Sequence, residues 1–186
     1  MAEKILVFDL ECACWMGSPP AGMRADIIEI GLCILDMSIT GVTERQSILI
    51  KPANAVIGAF CTELTGITQE MVDSEGVSFK EAIMIMKEHM GGTTSSAAWG
   101  KFDARALRMD CAHYGVEYPL IKHSNAQGIF KTKMGLKQET SVVKALEHFG
   151  KSFDGRQHRA MDDAYNTALI LSEILCGALE KRHGSQ

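Results

Sequence analysis

The run KILVFDLECACW, residues 4–15, constrains the fold more than any other stretch of the chain. Ile5, Leu6, Val7 and Phe8 form an unbroken apolar segment rich in β-formers, the pattern of a central strand covered on both faces. That segment ends in Asp9 and Glu11. Alternate residues of a strand share a face, so the two carboxylates point the same way, with Cα atoms roughly 6.5 to 7 Å apart. Phe8 and Leu10 point the other way, into a core. Like charges converging at the end of a buried strand repel and lose hydration, so they require a compensating partner, most simply a divalent cation. Hard carboxylate oxygens suit magnesium or manganese. Taken alone, an Asp-x-Glu pair is equally compatible with two solvated acids at a strand end.

A length of 186 residues predicts one domain, 1–186, with a sizeable core. Hydrophobic residues at 46% and charged residues at 23% are the proportions of an ordinary globule. The first strand begins almost at the N-terminus without a signal-peptide pattern, and the apolar runs are shorter than a membrane span. These features predict a cytoplasmic chain without a membrane partner. Cys12, Cys14, Cys33, Cys61, Cys111 and Cys176 lack C-x-x-C spacing, which excludes a zinc or dithiol motif and predicts reduced thiols. A formal net charge of −4 argues against general electrostatic binding to nucleic acid. A polyanion would have to be met by local basic groups or by metal.

ADIIEIGLCILD reads as a second strand and TERQSILIKP as a third closed by Pro52, which predicts an antiparallel meander. The Gly- and Pro-rich loop CACWMGSPPAGMRAD joins the first two, starting beside the acids. AVIGAFCTEL reads as a helix followed by the turn TGIT. Ser78 and Glu81 form a capping box for a helix running to Gly91-Gly92. SSAAWG is a short strand, and FDARALRMDCAHYG is a helix stopped by Gly115. Residues 116–137 predict loops with short elements. KQETSVVKALEHFG is an amphipathic helix, and a last helix runs from about Arg159 to Lys181. Strands first, then helices interleaved with at least one further strand, indicate an α/β chain with a mixed sheet flanked by helices.

Asp103 stands near the start of the helix FDARALRMDCAHYG, a position that also suits simple compensation of the helix dipole. Trp99 and Phe102 beside it fit the core at this spacing, with base stacking as the alternative. In the C-terminal segment, counting by three and four from Asp163 gives Thr167, Ile170 and Ile174, so Asp163 heads the buried face. Asp162 heads a mixed face through Tyr165, Leu169 and Glu173 and is expected to be solvated. His158 lies five residues before Asp163, which in a continuous helix turns it away from that aspartate. It is expected on the loop entering the helix, where it can approach from solvent as a proton acceptor for water.

The set Asp9, Glu11, Asp103, His158 and Asp163 resembles the DEDDh 3′-to-5′ exonucleases, whose motifs stand in this order as FDLE, WGKFD and the H-x-x-x-x-D of HRAMDD. Within that superfamily, CTELTGITQEMVD and FGKSFDGRQHRAMDDAYNTALIL are similar to the enhanced-RNAi exoribonucleases and to bacterial sporulation-inhibitor exonucleases of the KapD type. The resemblance covers nearly the whole chain. It implies a ribonuclease H-like fold with a mixed five-stranded sheet. It also implies a metal-dependent nuclease that removes nucleoside 5′-monophosphates from 3′ ends of single-stranded RNA or short oligonucleotides, RNA being favoured over DNA. Two Mg2+ or Mn2+ ions, about 4 Å apart, would be held by Asp9, Glu11, Asp103 and Asp163, with Asp9 shared and His158 accepting the proton of the attacking water. The turn Leu64, Thr65, Gly66 and Ile67 would pack on the terminal nucleotide, with Trp99 as a further contact. Arg159, with Arg156, Lys131, Lys133 and Lys137, would guide phosphates. A DNA exonuclease of repair type and a module that holds 3′ ends without cutting are the competing readings. A monomer is the expected state.

Overall fold

The computed structural model describes residues 4–93, 95–120 and 122–183. The apolar run at the N-terminus forms β1 (Lys4–Cys12), the middle strand of a five-stranded sheet. Beside it lie β2 (Ile27–Asp36) and β3 (Gly41–Leu49), antiparallel as the meander requires, and on the other side β4 (Ser95–Ala98) and β5 (His123–Asn125), both parallel. The spatial order is β3-β2-β1-β4-β5. The helices are α1 (Ala59–Thr65), α2 (Gln69–Ser74), α3 (Phe79–His89), α4 (Phe102–Tyr114), α5 (Ala126–Lys133), α6 (Val142–His148) and α7 (Ala160–His183). This is the mixed sheet flanked by helices that the sequence and the resemblance both indicate.

The alternation of β1 decides which helix meets which residue. Leu6, Phe8 and Leu10 enter one core with Ile30, Leu32 and residues of α3 and α4 such as Ile83, Met86 and Leu107. Val7 faces the opposite core, formed with Cys33, Leu35, Ala97 and the Ala164, Ala168 and Leu171 stripe of α7. Asp9 and Glu11 share the parity of Val7, so they point to the α7 side. Small side chains let this helix lie close. A Cβ at Gly31, which pairs with Asp9 across the sheet, would sit 1.9 Å from the Ala160 carbonyl carbon and 2.0 Å from the Met161 nitrogen. The first turn of α7 therefore rests on the bare backbone of β2.

Several boundaries differ from the sequence expectation, each for a local reason. α1 starts at Ala59 rather than Ala55, because residues 54–58 run without helix up to the Gly58 N-cap. α6 is shortened to Val142–His148 by Ser141, whose hydroxyl caps the Lys144 N–H. Residues 116–137 hold β5 and α5, where Asn125 ends the strand and caps the helix through Gly128. The capping box of Ser78 and Glu81 forms as expected. CACW is packing: Ala13, Cys14 and Trp15 join Ile28, Ile57, Cys61 and Ile67 under α1. No helix among the described residues is long and apolar enough to cross a membrane.

Candidate active site

Beyond the last β1–β4 pair, Val7 with Ala97, the Leu10 N–H has no strand to meet on that side. Asp103, in the first turn of α4, supplies the acceptor instead, with Oδ1 at 3.2 Å from the Leu10 nitrogen. This ties the third acid to the strand end. A register shift between Glu11 and Cys12 then terminates the ladder. From the opposite layer α7 delivers Asp163, and one carboxylate oxygen from each of Asp9, Glu11 and Asp163 lies within 4.8 Å of the others. The face count from the sequence singled out the same aspartate that the structure brings to this cluster.

Burial and crowding raise the affinity of these acids for protons. Desolvation raises Asp9 well above the usual carboxylate range, with Asp103, Asp163, Glu11 and Glu29 adding to the effect. Glu11 is pushed to about 8 by burial and then by Asp163, Glu29 and Asp103, against a lowering by Arg159. Asp163 rises to about 7 through burial, partly offset by backbone hydrogen bonds from His158 and Arg159. Asp103 rises to about 6 through burial, offset by its own backbone and that of Leu10. Asp163 Oδ2 is buried without a hydrogen-bond partner among the described residues. Clustered hard oxygens with one orphaned and too little positive charge are the donor set that a divalent cation fits.

The acids open onto a cavity of about 690 Å³, also lined by Trp99, Phe102, Gln127, Lys144 and His158. Its size is that of a small-ligand site. His158 is exposed and sits just before α7 with φ of 61°, on the loop as expected. Trp99 is half-buried beside Phe130 and donates Nε1–H to the Thr140 carbonyl at 3.0 Å, so it fixes the wall of the cavity as well as lining it. Phe102 was expected in the core but is 62% exposed, because it is the first residue of α4 and stands at the cavity mouth. Lys144 faces this space, whereas Lys131, Lys133 and Lys137 do not line it.

The α1 turn is mostly occupied with its own fold. The Thr65 hydroxyl donates to the Cys61 carbonyl at 2.8 Å and accepts from the Ile67 N–H at 3.0 Å, while Ile67 is fully buried. Gly66 takes a left-handed φ of 76° as the C-cap, and Leu64 is the member with an exposed side chain. Arg159 is engaged with Glu29, through Nε at 3.3 Å from Oε2 and Nη2 at 3.2 Å from Oε1. Glu29, fully buried and opposite Glu11 on β2, also accepts from the Ala160 N–H and the Ser47 hydroxyl. The sequence reading passed over it, although an acid inside ADIIEIGLCILD cannot be buried without a partner. Asp162 is not solvated as the sequence suggests: its side chain is only 15% exposed and accepts from the Arg156 N–H and from Arg45.

Residues 6–171 match the family model RNase_T, described as exonuclease. The chain belongs to this exonuclease family. The family depends on divalent metal, in keeping with the carboxylate cluster. The human 3′-5′ exoribonuclease 1 is 29% identical over 193 residues, covering 97% of this chain and 54% of that protein. The Bacillus subtilis probable 3′-5′ exonuclease KapD is 28% identical over 166 residues, covering 87% of this chain and 80% of that protein. Among solved structures, the nuclease domain of 3′hExo, a DEDDh family member bound to rAMP, superposes with a TM-score of 0.86. It is 26% identical, with 95% of this chain and 93% of that one covered. The exonuclease resemblance and the sheet architecture thus both hold.

Proposed function

We propose that this chain is a metal-dependent 3′-to-5′ exonuclease that hydrolyses RNA from its 3′ end and releases nucleoside 5′-monophosphates. The observation that carries the reading is the convergence of Asp9, Glu11, Asp103, Asp163 and His158, from four separate segments, on one cavity. Asp9, Glu11 and Asp163 would hold two Mg2+ or Mn2+ ions, with Asp103 behind them. Held there, such ions would supply the charge that balances the acids and the Lewis acidity that phosphodiester hydrolysis near neutral pH needs. His158, exposed at the cavity rim, accepts the proton of the attacking water. Phe102, Trp99 and Lys144 line the cavity and offer contacts to the terminal nucleotide, and Leu64, exposed but outside that lining, is the contact proposed from the α1 turn. Arg159, paired with Glu29, holds the entry of α7 rather than a phosphate.

The exoribonuclease relatives and the rAMP bound in 3′hExo support ribonucleotide as the substrate class. The proposed site is complete without a second copy, in keeping with a monomer acting as a single domain. Six free cysteines fit a reducing compartment such as the cytoplasm. The test is incubation with 5′-labelled single-stranded RNA and DNA of one sequence, in manganese, magnesium or chelator. The expected result is a ladder shortening from the 3′ end, faster on RNA and lost with chelator. Faster shortening of DNA would move the substrate to the repair class. Retention of oligonucleotide without any mononucleotide would make the chain a 3′-end binding module.

A further inference from the structure

The residues between α6 and α7 that carry His158, from Lys151 to Arg159, have no ladder of their own. They are fastened by side chains. Asp154 and Asn166 exchange two hydrogen bonds, Asp154 N–H to Oδ1 at 3.0 Å and Nδ2 to the Asp154 carbonyl at 2.8 Å. Two residues on, the Arg156 N–H donates to Asp162 Oδ2 at 2.9 Å, and its guanidinium reaches out of the loop to donate to the Glu63 carbonyl at 2.9 Å. That carbonyl belongs to the last turn of α1, where helix acceptors lack internal partners. Gly66 makes the reach possible: a Cβ there would lie 2.3 Å from Nη1 and 2.8 Å from Cζ of Arg156. The left-handed Gly66 that closes α1 thereby leaves a notch filled by the guanidinium.

We infer that Arg156, seated in the Gly66 notch, is a positioning residue that sets the place of the His158 imidazole by tying its loop to the end of α1. The inference rests on the exonuclease reading for its catalytic consequence and on geometry alone for the loop. Its chemical basis is that a charge-assisted bond from a planar, always-charged group fixes direction as well as distance. A base displaced by about 1 Å loses on the order of a hundredfold in rate. The rival role is that of a phosphate contact, which would act on binding and on its salt dependence.

The test is a double-mutant cycle of Arg156→Ala and His158→Ala, with hydrogen exchange of the same proteins. Arg156→Ala should lower kcat by roughly tenfold to a hundredfold with KM changed by less than about twofold and the salt dependence of binding intact. In the His158→Ala background it should have no further effect, since both changes act through the same base. Arg156→Lys, which keeps a cationic donor, should recover part of the rate. Gly66→Ala, checked for folding by its melting curve, should reproduce the kcat loss with the arginine still present. Amides of 154–158 should exchange faster in Arg156→Ala than in the wild type. Additive effects, or a raised KM with a shallower salt slope, would make Arg156 an independent phosphate contact and overturn the inference. Unchanged exchange would overturn it too. Should the wild type cleave neither RNA nor DNA, the exonuclease reading falls, and the exchange comparison still decides whether Arg156 holds the loop.

Discussion

Asp9 and Glu11 stand on the central strand of a five-stranded sheet, whereas His158 stands on a loop that belongs to no ladder. On the strand, backbone pairing with β2 and burial on both faces resist the mutual repulsion of the acids, so carboxylates can be crowded until their affinity for protons rises. On the loop, position depends on a few side-chain bonds, those of Arg156, Asp162 and Asn166. The division suits the proposed chemistry. Ligands for a hard cation must stay fixed while charge comes and goes, and a proton acceptor works from the solvent edge.

Breaking the strand side should have the larger effect. Asp9→Asn removes charge from the centre of the cluster, and with several kcal/mol of electrostatic stabilisation lost, kcat should fall by at least ~10³-fold. The fold should survive, because the sheet does not depend on this side chain and one repulsive group is gone. Single-turnover cleavage with manganese, alongside circular dichroism, measures both. A variant cutting near the normal rate would mean that the ions are not held here. On the loop side, His158→Ala should lose roughly 10²-fold or more in kcat and keep manganese affinity within a few-fold by calorimetry. A large loss of affinity would turn the histidine into a ligand and abolish the contrast between the two regions.

The third way to probe the contrast is at the point where the two layers touch. Gly31→Ala places a methyl group against the Ala160 and Met161 backbone. Overpacking of this kind destabilises by about 1–3 kcal/mol, read as a lower urea midpoint, and it should also reduce kcat because Asp163 rides on the displaced helix. An unchanged midpoint and rate would show that the start of α7 does not rest on β2.

The strand half was also the more legible in the sequence. An apolar run ending in alternating acids fixes a strand, a face and a chemical need, and the 3.6-residue count on α7 selects Asp163 over Asp162 because the helix has a clear apolar side. The same count misjudged Asp162. It divides side chains between core and solvent, but at the start of a helix a third neighbour exists, the incoming loop, and Asp162 binds there. Glu29 escaped notice for a related reason: its partner Arg159 is 130 residues away in sequence, so no spacing rule connects them. Phe102 and the β5–α5 segment were misread or left unassigned because an aromatic at a helix start and a three-residue strand carry almost no periodicity.

The smallest expected effect sharpens the comparison without any substitution. Glu11 near 8, Asp163 near 7 and Asp103 near 6 stand above their ordinary values of 4.5, 3.8 and 3.8. The metal-free folded chain therefore binds protons more tightly than the unfolded one. The stabilisation that this gives is complete below about pH 4 and is lost as pH rises through 6 to 8. Melting curves in chelator should fall by roughly 2–8 °C between pH 5.5 and 8.5, a shift of this order following from one or two kcal/mol in a chain of this size. On the proposed reading manganese competes with those protons for the same oxygens, so it should raise the melting temperature more at pH 8.5 than at pH 5.5. Asp9→Asn should flatten both trends, while His158→Ala should leave them in place, since the loop contributes none of the crowded charge. A wild-type curve level across this range would mean that positive charge on the chain itself already balances the acids.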